Sequence, residues 1–450
     1  MRRIMILLLA LVLCIGLTGC FSMSADELLT QPKLPRDAEQ LQNQIQKQLA
    51  TGEQLVAPAG GVNRQAIQKI DIDGDGIDEA VVFYRGQGET PLSVVFYCKN
   101  GEEYEPFAHI EGEGEAIDSI AYADLDMDGQ PEILVGWRLG PGTLKVLAVY
   151  KMSEGRMRKI LSVSYSAYAY LDLTGDGYQE LLVLRHDQSQ LAGVAEMYGF
   201  VDENLVIVSE APLSQGIESI QRVKTGLLLD GFSAVFVVSR CDVDVILTDI
   251  LTVRNGYLTN ITRDETSGVS DMTARQNAQL VGFDINRDGV LDIPVPRELP
   301  PYELDATVQD AQGTVVEWRS YNSQGRWRTV KNTWHNYTDM WYFELPESWL
   351  LALTMTQKIL STEEKGYVFA VRRNPEDLPT DMMVVYTLTG DNRNELSQKR
   401  GRVILLNRPD KIVVAEILPW VEDYSLSNDE LIKRVFWIQN EWITGELNVG

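Results

Sequence analysis

The sequence has few of the residues on which most catalytic sites depend. Only three histidines occur in 450 residues, His109, His186 and His335, and no G-x-S-x-G, H-E-x-x-H or P-loop motif is present. The classes of serine hydrolase, zinc protease and NTPase that carry those motifs are therefore excluded. Zinc is also disfavoured, because zinc sites are built mainly from histidine and cysteine.

Basic residues are also scarce. The chain has 40 Lys and Arg against 65 Asp and Glu, which gives a formal net charge of −25. A surface this acidic repels phosphate backbones, so we expect no nucleic-acid partner. The hydrophobic fraction of 44% is that of an ordinary globular protein, and the length suits two or more domains.

A long apolar run is present only near the N-terminus. Arg2 and Arg3 precede an apolar run over 4–16, which is shorter than the about 20 residues that span a bilayer. It ends in Leu17-Thr18-Gly19-Cys20, which resembles the lipobox of bacterial lipoproteins. The resemblance implies cleavage of a signal peptide (1–19), a lipid on Cys20, and an extracytoplasmic protein anchored to the bacterial cell membrane. An ordinary secretory signal is the alternative, and it also predicts export.

An acidic motif occurs four times, at 71–79, 124–132, 172–180 and 284–292, and we call these segments loops 1 to 4. Each has an oxygen-bearing side chain at positions 1, 3 and 5, glycine at 6 and a carboxylate at 9. The first three begin about fifty residues apart and the last gap is about twice as long. A degenerate repeat without its metal ligands is therefore predicted near residue 228, at Asp230-Gly231.

An apolar run follows each loop. The runs at 79–85, 132–138 and 180–185 are rich in β-branched and aromatic residues and predict strands, whereas Pro294 and Pro296 weaken the fourth. Hairpin-like stretches lie between the loops. The pattern gives about four strands per repeat of about fifty residues, which is the size of a propeller blade.

The spacing within the loops is typical of a calcium site. Calcium takes six to eight hard oxygen ligands, and alternate side chains in a tight loop can point at one ion. Position 7 can offer a backbone carbonyl, and the acid at position 9 completes the cage. Loops 3 and 4 replace one carboxylate with Thr174 and Asn286, so we expect them to bind more weakly.

Up to four structural Ca²⁺ ions are therefore predicted. The predicted ligands are Asp71, Asp73, Asp75, Ile77 and Glu79; Asp124, Asp126, Asp128, Gln130 and Glu132; Asp172, Thr174, Asp176, Tyr178 and Glu180; and Asp284, Asn286, Asp288, Val290 and Asp292.

Two other interpretations compete with this one. An EF-hand requires a bidentate glutamate at position 12, where the four loops have valine, so it is excluded. Plain Asp-Gly hairpin turns are the second alternative. Four copies at near-regular spacing favour calcium over simple turns.

The loops with their trailing strands resemble the FG-GAP/VCBS repeats of integrin-α-like propellers and of many bacterial surface lipoproteins. The resemblance covers residues 61–335 and implies a mainly β protein, with a β-propeller of about five four-stranded blades and structural calcium loops. In such a ring Cys98 and Cys241 lie in blades that are not neighbours, so we expect both thiols to be unpaired.

The two flanks differ from the repeat region. Residues 20–60 are predicted to be a tether with one short helix, in which Leu41, Ile45 and Leu49 form an apolar stripe that docks on its own domain. Residues 336–450 are predicted to be a small α+β domain. Its helix begins at a capping box, Ser427-Asn-Asp-Glu430, and is predicted to carry the apolar residues Leu431, Ile432, Val435, Phe436 and Trp442.

Two functional hypotheses follow, beside a third option in which the protein is a purely structural envelope protein. The first is a monomeric, surface-tethered binding or scaffolding module for a protein or glycan, and not an enzyme. The alternative is a carbohydrate-active enzyme or sugar-binding protein that uses the Trp-rich segment 318–349 as a stacking platform. The alternative requires Trp318, Trp327 and Trp334 to be exposed along one groove.

Overall fold

The computed structural model describes residues 36–438 except for 89, 102, 113, 141–144, 154, 202, 277–279, 303–313, 375, 419–423 and 425. The predicted signal peptide, Cys20 and Trp442 lie outside the described residues. Within them, no helix is long and apolar enough to cross a membrane.

Antiparallel strands account for most of the described chain. Sheet 1 contains β1 (Gln54–Leu55), β2 (Ile67–Ile70), β3 (Glu79–Arg85), β4 (Leu92–Asn100) and β5 (Glu103–Gly112). Sheet 2 contains β6 (Ala116–Ala123), β7 (Glu132–Arg138), β8 (Lys145–Ser153) and β9 (Arg156–Tyr165). Sheet 3 contains β10 (Ala167–Leu171), β11 (Glu180–Asp187), β12 (Ala192–Val201) and β13 (Asn204–Pro212).

Three further sheets follow. Sheet 4 contains β14 (Ser219–Leu227), β15 (Ser233–Asp242), β16 (Val245–Arg254), β17 (Tyr257–Asn260) and β18 (Arg275–Gln276). Sheet 5 contains β19 (Asp292–Glu298), β20 (Thr314–Tyr321), β21 (Trp327–Asn336), β22 (Trp341–Glu344) and β28 (Val435–Trp437). Sheet 6, in the order β23-β24-β25-β27-β26, contains β23 (Leu353–Ile359), β24 (Glu364–Val371), β25 (Thr380–Leu388), β26 (Arg402–Asn407) and β27 (Ile412–Ile417).

Helices are few. The described α-helices are α1 (Arg36–Leu49), α2 (Arg393–Ser397) and α3 (Asn428–Ile432), with 3-10 turns at Asp271–Thr273 and Glu347–Trp349. The prediction of a mainly β protein is confirmed. The strands after the loops begin at the position-9 acids, as predicted, and β14 and β15 flank the predicted degenerate repeat.

Neighbouring sheets pack face to face in chain order. In β7, Ile133 and Val135 share a core with sheet 1, whereas Leu134 shares a core with Leu181 and Val183 of sheet 3. Successive side chains of a strand point to opposite faces, so a strand buried on both faces must be apolar throughout. This explains the continuous apolar runs after the loops. Closure of the sheets into a five-bladed ring stays a prediction.

Helix α1 covers the outer face of sheet 1. Leu41 and Ile45 are buried against Ala80, Val82 and Tyr84, so the predicted docking of this helix on its own domain is confirmed. Both described thiols, Cys98 and Cys241, are free, as expected.

The C-terminal region differs in part from the expectation. The expected boundary between residues 335 and 336 falls inside β21, and one core joins Trp334 of sheet 5 to Phe369 of sheet 6. The capping box at Ser427 is present, but α3 ends at Ile432. The prediction that the helix continues through Val435 is wrong, because residues 435–437 are β-branched or aromatic and pair with the free edge of β22.

The environment of His335, on β21, leads us to expect that the stability of the protein depends on pH. Its ring stacks on Tyr342 at 5.3 Å between centroids and hydrogen-bonds the Thr333 hydroxyl at 2.8 Å. Burial lowers the pKa of His335 to about 3, against about 6.5 in an unfolded chain. Between these two pKa values, His335 is protonated in the unfolded state and neutral in the folded state. The free energy of unfolding therefore falls as the pH drops from about 6.5 towards 3.

We therefore expect that His335→Phe weakens the loss of stability on acidification. Between pH 7 and pH 5 the wild type should lose on the order of 1–2 kcal/mol more than the variant, measured by urea unfolding at both pH values. Equal losses in the two proteins would contradict this account of His335.

Candidate metal centre

All four loops share one hydrogen-bond pattern. The carboxylate at position 9 accepts the backbone N–H of position 2, which is an apolar, buried residue in every loop. These bonds join Glu79 to Ile72 (2.9 Å), Glu132 to Leu125 (2.9 Å), Glu180 to Leu173 (2.9 Å) and Asp292 to Ile285 (3.1 Å). The bond ties the start of each loop to the first residue of the strand that follows it.

Two further bonds recur within the loops. The glycine N–H at position 6 donates to the aspartate at position 1, over 2.8–3.1 Å in the four loops. The N–H at position 7 donates to the acid at position 5, over 2.7–2.9 Å. These donors hold the side chains at positions 1 and 5 in place. Coordination of calcium by the carbonyls of position 7 stays a prediction.

Backbone geometry adds a requirement that the motif does not reveal. Position 4 has a positive φ in all four loops, including Met127 (56°) and Arg287 (63°), where the side chain disfavours that conformation. The signal for this feature is partial, because only loops 1 and 3 have glycine there. In loops 2 and 4 the surrounding hydrogen bonds hold a non-glycine residue in the left-handed conformation.

Loop 1 brings three carboxylates together. Asp71, Asp73 and Glu79 each have a side-chain oxygen within 4.8 Å of the others. Burial raises the pKa of Glu79, and the acidic neighbours Asp73, Asp75 and Asp71 raise it further. The oxygen-only donor set fits calcium, and a cation at its centre would relieve this repulsion.

Loop 2 has the same three acids close together and a lysine beside them. Asp124, Asp126 and Glu132 lie within 4.8 Å of one another. Burial raises the pKa of Glu132 to about 7. The Lys151 ammonium contacts Asp126 and lies 2.8 Å from Asp128 Oδ2 and 3.6 Å from Glu132 Oε1.

Loop 2 nevertheless retains unsatisfied oxygens. Asp124 Oδ1, Asp126 Oδ1 and Glu132 Oε1 are buried and accept no hydrogen bond within the described part of the chain. Buried oxygens without a donor are costly, so positive charge beside them is favourable, and the Lys151 ammonium supplies such a charge. Burial opposes the charge on Lys151, but its hydrogen bonds to Asp126 and Asp128 raise its pKa above the usual range.

Loops 3 and 4 use neutral donors. The Thr174 hydroxyl donates to Glu180 Oε1 at 3.1 Å, and the Asn286 amide donates to Asp288 Oδ2 at 2.8 Å. The hydroxyl of Ser320 on β20 donates to Asp292, whose pKa burial raises to about 6. These bonds satisfy carboxylate oxygens within the protein, and weaker calcium binding at these two loops stays a prediction.

In the degenerate repeat, the remaining acid accepts hydrogen bonds from a neighbouring turn. The Asp230 carboxylate accepts the N–H of Ser323 at 3.1 Å and its hydroxyl at 2.7 Å. Ser323 lies in the turn between β20 and β21, so this loop is tied to sheet 5.

The tryptophans do not form the stacking platform that the sugar-binding alternative requires. Trp318 and Trp334 are only 1% and 5% exposed, and both lie in apolar cores. Trp327 is 39% exposed, and the Arg319 guanidinium lies 3.9 Å from its ring centroid. The exposure that the sugar-binding alternative requires is therefore absent at Trp318 and Trp334, because both side chains are packed into cores between strands.

Comparison with known proteins agrees with the loop geometry. Residues 71–135, which contain loops 1 and 2, match the family model described as an FG-GAP-like repeat. The resemblance to FG-GAP repeats is thereby confirmed for this part of the chain. No curated protein matches the sequence.

Two solved structures are similar over much of the chain. One is the rhamnogalacturonan lyase YesW, with 10% identity over 61% of this chain and 68% of that chain, at a TM-score of 0.30. The other is the exotype rhamnogalacturonan lyase YesX, with 11% identity over 71% of this chain and 74% of that chain, at a TM-score of 0.27. Scores this low support no argument about the fold or the activity.

Proposed function

We propose that this protein is a membrane-anchored extracytoplasmic lipoprotein whose β-propeller-type module is stabilised by calcium and serves as a binding or scaffolding surface. One observation carries the proposal: an FG-GAP-like repeat whose loops share a hydrogen-bond pattern and close with a buried acid. In this arrangement the conspicuous carboxylates hold loops to strands. They therefore act as structural groups rather than as an exposed acid–base pair.

The partner we favour is a protein. Burial of Trp318 and Trp334 disfavours the sugar-stacking alternative. Three consecutive apolar residues, Val206, Ile207 and Val208, are 39–48% exposed on β13, which is the last strand of sheet 3. Exposed apolar side chains on a terminal strand are typical of a surface that another chain covers. We expect no nucleic-acid partner and a monomeric chain.

Calcium should stabilise the folded protein through loop 1. A ligand that binds only the folded state raises the free energy of unfolding by about 2.7 kcal/mol at 100 times its Kd. We expect calcium to raise the Tm of the wild type over that in chelator, and Asp71→Asn to lose most of this gain. Asp244→Asn, which changes an exposed acid in the β15–β16 turn, is the matched control. A calcium-dependent gain of the same size in the Asp71 variant would refute the assignment.

The lipobox predicts how the protein is anchored. Cys20→Ser should move the chain from the membrane fraction to the soluble extracytoplasmic fraction and abolish labelling by a fatty-acid analogue. Cys14→Ser, within the apolar run, should keep both the membrane location and the label. An unlabelled wild type would contradict lipid attachment.

The apolar strip on β13 predicts where the partner binds. The immobilised wild-type protein should retain one reproducible protein from the cell-envelope fraction. The Ile207→Lys variant should bind that protein at least tenfold more weakly, because the substitution places a charge in the contact. Val243→Lys, at an 81% exposed turn position, should bind as the wild type does. Equal retention by all three proteins would exclude this strip as the binding surface.

A further inference from the structure

Sheets 1, 2, 3 and 5 each contain the strand that follows one of the four loops. In each of them, one residue of the next strand lies opposite the position-9 acid. In sheets 1, 2 and 3 the residue after that acid pairs with a tyrosine: Ala80 with Tyr97, Ile133 with Tyr150, and Leu181 with Tyr198. The residues that follow these tyrosines are Cys98, Lys151 and Gly199, and the equivalent residue in sheet 5 is Ser320, which pairs with Asp292. Only sheet 2 has a cation at this position.

The Lys151 side chain is held where an ion would be needed. Its ammonium meets three acids of loop 2, namely Asp126, Asp128 and Glu132. The side chain is only 16% exposed, and its ammonium lies 5.7 Å from the ring centroid of Phe200. A lysine this buried among carboxylates supplies charge where a bound metal ion would otherwise supply it.

We propose that Lys151 is the built-in cation of loop 2, so that loop 2 is held closed without a divalent ion and loop 1 is the principal calcium site. Calcium sits about 2.3–2.6 Å from its ligand oxygens, and an ammonium bound to the same carboxylates repels it. The proposal rests on the calcium role proposed above. It also distinguishes loop 1 from loop 2, although each of these loops has four carboxylates at its motif positions.

Lys151 then determines whether loop 2 requires calcium. Three buried oxygens of loop 2 lack hydrogen-bond donors even with the ammonium in place, and without it the loop would have the acids of loop 1 and lose the positive charge that contacts them. Lys151→Met keeps most of the length of the side chain and removes its charge. Loop 2 of this variant should then require calcium as loop 1 does.

The test uses the full-length chain in detergent, with calcium binding measured by isothermal titration and Tm measured in chelator and in calcium. In the wild type, Asp124→Asn should leave the number of tight calcium sites unchanged, whereas Asp71→Asn should remove one. Lys151→Met should lower the Tm in chelator, recover it in calcium and gain about one site. Lys151→Gln provides a second uncharged variant in case the methionine protein does not fold.

The matched control is Lys145→Met on the same strand. The Lys145 ammonium lies 2.8 Å from Asp118, outside the loops. This variant should lose stability with no gain of a calcium site. Loss of a site in Asp124→Asn, or no gain in either Lys151 variant while Asp71→Asn still loses one, would overturn the Lys151 proposal alone. Absence of calcium binding in every protein would overturn the calcium role, and the Lys151 proposal with it.

Discussion

Four of the five repeats depend on one recurring hydrogen bond, from the backbone N–H of loop position 2 to the buried carboxylate of position 9. The apolar residue at position 2 is in the core, so the acid that accepts its N–H is drawn into the core as well. A buried carboxylate is costly unless its oxygens are satisfied. Each loop must therefore supply donors or a cation to the remaining oxygens.

The four loops meet this requirement in different ways. Loop 1 gathers carboxylates around Glu79 with acidic neighbours, whereas loop 2 receives the ammonium of Lys151. Loops 3 and 4 use neutral donors, the hydroxyls of Thr174 and Ser320. The same loop backbone thus accommodates three different environments for the buried acid. The hydrogen bonds within the loop preserve its shape, while the side chains at position 3 and on the facing strand vary.

Much of the repeat region could be predicted because its determinants are local. The start of each strand at the position-9 acid and the degenerate repeat at Asp230 follow from a motif of nine residues and its spacing. The contacts that were missed are long-range. Lys151 reaches loop 2 from a different strand, and Ser323 reaches Asp230 across 93 residues, so no spacing rule reveals them. The return of β28 to sheet 5 depends on a free strand edge, which only the assembled sheet provides.

The most direct test of the account is a crystal structure of the protein grown in calcium, with the ion located by its anomalous scattering. We predict an ion bound by Asp71, Asp73 and Glu79 in loop 1, with the Lys151 ammonium still among Asp126, Asp128 and Glu132 in loop 2. An empty loop 1, or an ion in loop 2 with Lys151 displaced into solvent, would contradict the account.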